Sequence, residues 1–306
     1  MNVSRPRVSI IIRSRNAAWV IHQTLTALFA QDFREFDVLV VDSGSEDATC
    51  QIAQQFPCQL MQIEQTSYFP GPVLNDAIEK TQGEILVFLN SDCVPVFPSS
   101  LRHLLAGLES SDAVAAFGRQ LARPEAHRWV RRDYAASFPD TPEAPAWINM
   151  SLAFAAMKRK AWEEHRFYGD AWASEDQEWA VWAKRNGHRI EYVPNAAVMH
   201  SHNYTLRQLY GRRYVEGEAD AFIHQDNASF LLGLGRAFID SARDVRDCLG
   251  HASILEAFEA LPRRLVYHYA YCKGHKWGEK RLSTGNENAR VGQTAVLSRY
   301  DDGTAS

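Results

Sequence analysis

At 306 residues, 46% of them hydrophobic and 23% charged, the chain has enough apolar material for a full core and needs neither disulfides nor a structural metal to fold. Wholesale disorder and a collagen-like repeat are excluded, and no apolar run approaches the ~20 residues of a membrane-spanning helix. A formal net charge of −4 argues against bulk nucleic-acid binding, which leaves a basic footprint.

The elements follow in chain order. Residues 8–12 (VSIII) are apolar apart from Ser9 and read as a strand buried on both faces. Residues 19–30 repeat Ile21, Leu25, Leu28 and Phe29 at helical spacing. A second strand, 38–42, runs into the turn Ser43-Gly44-Ser45 and a helix through Ala48, Ile52 and Phe56. Residues 58–63 suit a third strand, 73–80 a helix and 85–89 a fourth strand. A helix over 99–108 and a strand over 114–118 lead into a stretch rich in Pro, Arg and aromatic residues, reaching Trp147. Helices follow at 158–164 and 175–186, then a strand over 189–193 that stops at Pro194. Helices are expected at 205–219 and at 230–249, the latter through Leu231, Leu234, Phe238, Ala242, Val245 and Leu249. Pro262 opens a last helix, and 283–306 is polar and aperiodic, a flexible tail. Alternating strands and helices imply an α/β fold with a doubly wound, mostly parallel sheet. Ligands of such sheets bind at the carboxyl ends of the strands.

Several side chains sit at those ends. Asp42 closes a buried strand and can accept bonds from a ribose or base, or cap its own turn. Asp92 follows an apolar strand and shares a face with Asn90. Its carboxylate suits Mg²⁺ or Mn²⁺, which take one or two protein carboxylates and complete their shell from phosphate and water; a structural cap is the other reading. Glu175-Asp176 opens a helix, either as ordinary dipole-favoured acids or as a general base aimed into a cleft. His200 and His202 are spaced to share one face of an extended segment and have no cysteine partners for a zinc site. Five scattered cysteines without CxxC read as reduced thiols, and the opening residues lack signal-peptide anatomy. A cytoplasmic location is therefore expected. GxGxxG, P-loop and GxSxG motifs are absent.

Taken together, Val8–Asn16 (VSIIIRSRN), Val38–Asp47 (VLVVDSGSED) and Gly83–Asp92 (GEILVFLNSD) resemble the nucleotide-binding half of family-2 glycosyltransferases, whose fold is GT-A. GRQLARP from Gly118, SEDQEW from Ser174 and HSHNYT from His200 resemble its bacterial rhamnosyltransferase-like branch. The resemblance covers about residues 7–225. It implies a catalytic domain over 1–225 (nucleotide-binding half to about 118, acceptor half after it), with a helical appendage over 226–282. Ser14, Arg15, Asp42 and Ser43 would then hold base and ribose, and Asn75 would line the donor pocket. Asn90 and Asp92 occupy the DxD motif, Asp92 reaching the metal with His200 as a further ligand and Asp176 as catalytic base.

The sequence departs from the family at three places. Asn90 replaces the first DxD acid, Arg13 a frequent proline, and Pro70 and Leu74 stand where relatives carry histidine and arginine. The implied activity is an inverting, metal-dependent transfer of a sugar from a nucleotide-diphosphate donor to a glycan or lipid-linked acceptor in cell-surface polysaccharide or glycolipid synthesis. The alternatives are an inactive nucleotide-sugar-binding subunit and a nucleotidyltransferase. Six Lys/Arg against one acid between Arg263 and Arg281, interleaved with Tyr and Trp, add an expected peripheral contact with an anionic membrane at its inner face.

Overall fold

The computed structural model describes residues 7–109, 112–169 and 173–284. The chain folds into two compact units. The first comprises Met1–Pro124, Tyr134–Gly169 and Asp176–Ser201; the second Glu125–Asp133, Asp170–Glu175 and His202–Ser306.

The first unit is built on one sheet of β1 (Val8–Ser14), β2 (Phe36–Asp42), β3 (Gln59–Gln62), β4 (Ile85–Asn90), β5 (Val94–Pro95), β6 (Ala113–Leu121), β7 (Phe154–Lys158) and β8 (Arg189–Met199). The strand order is β3-β2-β1-β4-β7-β6-β8-β5. Neighbours from β3 to β4 are parallel, as are β6 and β8, while β7 runs antiparallel to both β4 and β6. The sheet is therefore mixed. The central strands are mostly apolar because both faces are covered. Ile10, Ile12, Val38, Val40, Val87 and Leu89 feed one core with helices α1 (Ile21–Phe29) and, after the short α2 (Thr49–Ala53) and α3 (Pro70–Glu79), α4 (Ser100–Glu109). Ile11, Leu39, Val41, Leu86 and Phe88 point the other way. They meet α3 and, beyond α5 (Arg128–Ser137), Trp162 of α6 (Arg159–Glu164) and Trp179 of α7 (Glu175–Arg185). Each fully buried Leu or Ile contributes about 1.5–3 kcal/mol.

The strands differ from expectation at one boundary and by one addition, each for an identifiable reason. The last long strand does not stop at Pro194. The β6–β8 register slips between Gly118/Val193 and Arg119/Ala197, a bulge that takes the proline out of the ladder. Gly118 is required there, since a Cβ would stand 2.2 Å from the Ala196 carbonyl oxygen. The strand then resumes and delivers His200. β7 (FAAMK) is absent from the sequence reading, because alanines carry no strand signature, yet Ala155 and Ala156 are fully buried in mid-sheet.

The second unit is dominated by α8 (Leu206–His224), α9 (Phe230–Gly250) and α10 (Ile254–Thr284). α8 packs closely on α10: a Cβ on Gly217 would stand 2.1 Å from the Tyr271 carbonyl oxygen, and one on Gly274 1.9 Å from that of Tyr214. It therefore groups with the helices that follow, and the unit boundary falls at Ser201/His202. α10 starts eight residues before Pro262, which lies inside it and leaves one helical carbonyl without its backbone donor. The helix extends through Ser283 and Thr284; the remainder of the expected tail lies outside the described residues. Among those residues no helix is long and apolar enough to cross a membrane.

The charges of 263–281 are largely spent inside this unit. Arg264 is buried on Asp244 (2.6 Å) and Asp133 (2.8 Å), and Arg281 is buried on Glu218. Arg263 pairs with Glu259 (2.9 Å) and lies over the Trp129 ring. Helical periodicity does not reveal which side of α10 faces its neighbours, and here the neighbours carry the acids.

Candidate active site

Parallel register aligns the carboxyl ends of the first strands: Ser14 is opposite Asp42, and Arg13 opposite Asn90. The loops beyond them are tied together. Asp42 accepts bonds from the Ser45 N–H (2.9 Å) and the Ser45 hydroxyl, while Ser43 N–H donates to the Ser14 carbonyl (3.0 Å). Asn16, at φ 45°, accepts from Glu46 N–H through its side-chain oxygen and donates its own N–H to Ser45 Oγ. Ser14 Oγ is buried and has no partner among the described residues. A buried hydroxyl left unmatched is costly unless a ligand completes it.

Asp92 and His200 meet at the next strand end, Oδ2 to Nε2 at 3.6 Å. The imidazole is oriented from behind: Nδ1 lies 2.7 Å from Gln120 Oε1, and Gln120 Nε2 donates to Ser151 Oγ at 2.8 Å. Because an amide oxygen only accepts, Nδ1 carries a proton, and in the neutral imidazole Nε2 then presents its lone pair toward Asp92. A carboxylate oxygen and a neutral imidazole nitrogen on one side of a strand end form a donor set suited to Mn²⁺ or Mg²⁺. His202, two residues on, belongs to the second unit. Cys93 is no competitor as a ligand, since complete burial and then the Asp92 charge push its thiol well above the usual range.

The segment 151–153 gathers the rest. Ser151 holds Gln120, Leu152 N–H donates to Asp176 Oδ2 (3.2 Å), and the Ala153 carbonyl accepts from Asn90 N–H (3.1 Å). Because β7 is antiparallel to β4, its entry lies at the carboxyl end of β4. Three consecutive residues thus tether the His200 support, Asp176 and Asn90. Asp176 sits in the first turn of α7, with Oδ1 accepting from Gln177 N–H at 2.8 Å. Arg123, also buried, donates from Nη2 to the Asp92 carbonyl (2.7 Å) and lies 4.8 Å from the Trp19 ring centre.

Gln120, Ser151 and Arg123 are not singled out by sequence alone. Gln120 and Arg123 do lie in the GRQLARP run, the one signal that could have found them. Ser151 carries none. The segment that departs from relatives serves packing: Pro70 begins α3, and Leu74 is buried in the core. Asn75 uses its amide on the protein itself. Its Nδ2 donates to the Phe167 carbonyl, while Oδ1 accepts from Trp162 Nε1 and Phe167 N–H, all at 2.9–3.1 Å. Trp162 and Trp179 are core, Trp147 is exposed, and Trp172 lies outside the described residues.

The glycosyl transferase family 2 model matches residues 9–176. The chain belongs to that family. It is 26% identical over 286 residues to the O-antigen chain rhamnosyltransferase RfbN of Salmonella typhimurium, covering 89% of this chain and 90% of that protein. Its fold is similar to that of the mannosyltransferase PcManGT from Pyrobaculum calidifontis, solved with GDP-Man and Mn²⁺ (TM-score 0.57, 21% identity, 97% and 86% covered). A similar match is Staphylococcus aureus TarS 1–349 with UDP-GlcNAc (TM-score 0.53, 18% identity, 92% of each chain). The mixed eight-stranded sheet is thus a GT-A fold, and the chain is a glycosyltransferase.

Proposed function

We propose that the protein transfers a sugar from a nucleoside-diphosphate donor to a hydroxyl of a glycan or lipid-linked acceptor, with inversion, in cytoplasmic synthesis of a cell-surface polysaccharide. The observation that carries this reading is the 151–153 segment, which ties the His200 support, Asp176 and Asn90 to one strand edge. Ser14, Arg15, Asp42 and Ser43 receive the base and ribose, the unmatched Ser14 hydroxyl being completed by the nucleotide. Asp92 and His200 would hold Mg²⁺ or Mn²⁺. When bound, the ion offsets charge on the departing diphosphate, an effect worth several kcal/mol. Arg123 adds a fixed positive charge beside Asp92, and Arg13 and Arg15 are further cations at the same strand edge.

Asp176 takes the acceptor proton as the acceptor oxygen bonds to the anomeric carbon. The bond from that carbon to the diphosphate oxygen breaks, and the nucleoside diphosphate leaves. One base suffices, unlike the paired carboxylates of glycosidases. The likeness to RfbN makes dTDP-rhamnose the first donor to try, followed by UDP-glucose, UDP-galactose and GDP-mannose with lipid-linked acceptors. The expected product is a nucleoside diphosphate released in a Mn²⁺-dependent, acceptor-stimulated manner. Pyrophosphate release would instead indicate nucleotidyl transfer, and tight donor binding without turnover in any pairing would indicate a binding subunit.

A further inference from the structure

Helix α9 is turned inside out relative to its own periodicity. Of the residues that recur at helical spacing, Leu231, Leu234, Phe238, Ala242 and Leu249 face solvent and Val245 is half-buried. The side packed into the unit is Gly233, Ala237, Ser241, Asp244 and Cys248. Small residues are needed there because α10 passes close by, and a Cβ on Gly233 would stand 2.9 Å from Cys272 Sγ. The apolar exposure continues into the first turns of α10, where Leu255 is 83% and Phe258 78% exposed. Single exposed leucines are ordinary; a contiguous face of this kind marks an interaction surface.

The charges on this face are sorted by sign. Arg236, Arg243 and Arg246 are exposed. The three acids of α9 are held by cations or imidazole: Asp240 by His268 (2.9 Å) and Arg243 (3.3 Å), Asp244 by Arg264 (2.6 Å), Asp247 by Arg128 (3.3 Å). At the start of α10, Glu256 accepts the Arg128 N–H (2.6 Å), and the exposed Glu259 is paired with Arg263 (2.9 Å). An apolar cavity of about 410 Å³ also lies between α9 and α10. Phe230, Leu234 and Tyr269 line it and are themselves exposed.

We propose that the outer face of α9 and the first turns of α10 dock this protein on an anionic phospholipid bilayer. Leu231, Leu255 and Phe258 enter the acyl boundary, the arginines meet headgroup phosphates, and the cavity admits the end of an acyl chain. A second copy of the chain is the competing occupant, and pairing through this face would show as a dimer in solution. The inference goes beyond glycosyl transfer, and its test uses no activity, so either reading can fail alone.

The test is co-sedimentation of the full chain with vesicles of phosphatidylcholine, with and without phosphatidylglycerol, at low and high salt. The protein is expected to sediment with the anionic vesicles at low salt. Leu255→Asp/Phe258→Asp should lower binding tenfold or more, and Arg243→Gln/Arg246→Gln by about fivefold per charge. Both pairs are exposed, and the arginine pair keeps the test open should the aspartate pair disturb folding. Parent protein left in the supernatant, or variants that sediment like the parent, would overturn the proposal. So would a dimer in sedimentation velocity that Phe258→Asp dissociates while vesicles bind nothing.

Discussion

Gln120→Met tests the supporting shell of the site most directly. Methionine keeps the length of the side chain but deletes two contacts, to His200 Nδ1 at 2.7 Å and to Ser151 Oγ at 2.8 Å. Gln120 is buried, so water does not replace them. At about 0.5–1.5 kcal/mol net for each bond, the stability loss is about 1–3 kcal/mol. The functional loss has a different origin. Without an acceptor at Nδ1, the imidazole is no longer held in the tautomer that presents Nε2 toward Asp92, and losing such a partner costs roughly 10- to 100-fold in metal affinity. Calorimetric titration of the full chain with Mn²⁺, beside thermal unfolding, separates the two effects. Gln120→Glu restores an acceptor and makes the imidazole more basic, so its Mn²⁺ affinity should match or exceed the parent's. Parent-like affinity in the methionine variant, or equal losses in both variants, would refute the argument.

Asp176→Asn should lower transfer by about 10²- to 10⁴-fold while donor affinity, read by titration with the nucleoside diphosphate and Mn²⁺, changes little; turnover near the parent's would remove Asp176 as the base. Asp244→Ala leaves Arg264 buried with only Asp133 to oppose it and should cost about 3–5 kcal/mol in urea unfolding, whereas a loss under about 1 kcal/mol would show the pair is not a major contributor. His268 is held below its ordinary pKa, mainly by burial and against the pull of Asp240. As pH falls through about 6.5 the unfolded chain therefore binds the proton first, and stability drops. The urea midpoint should fall between about pH 7.5 and 5.5, and less so in His268→Gln; equal falls would assign the dependence to other groups.

The sequence makes legible what repeats or punctuates. Short, mostly apolar runs at 8–12, 38–42 and 85–89 identify strands buried on both faces, and their ends identify Asp42, Asn90 and Asp92. What it hides is relational. β7 is nearly silent because alanines are chosen for the space between two strands and two helix layers, not for strand propensity. Ser151 becomes informative only once β7 is known to be antiparallel, since that sets its entry beside Asn90. The orientation of α9 is the sharpest case: its apolar period is correctly helical, but period alone does not say whether the stripe faces a core. The small residues opposite, Gly233, Ala237 and Ser241, carry that information, because only they let α10 approach.

Asn90 decides between two accounts of the departure from the family pattern. If the first acid of the motif serves the ion, its loss leaves Asp92 as the one carboxylate there, and Asn90→Asp should tighten Mn²⁺ binding about tenfold or more, the equivalent of roughly 1.4 kcal/mol. If it serves the ribose, the amide already offers an acceptor oxygen, and the substitution should alter nucleotide affinity with little effect on the ion alone. The backbone is braced either way, because Asn90 N–H is bound to the Ala153 carbonyl at 3.1 Å and its carbonyl accepts from Cys93 N–H at 2.9 Å. A change in affinity therefore reports the side chain and not a shifted strand. Titrating Mn²⁺ alone, nucleotide alone and both together distinguishes the accounts, and a variant unchanged in all three would remove Asn90 from the site.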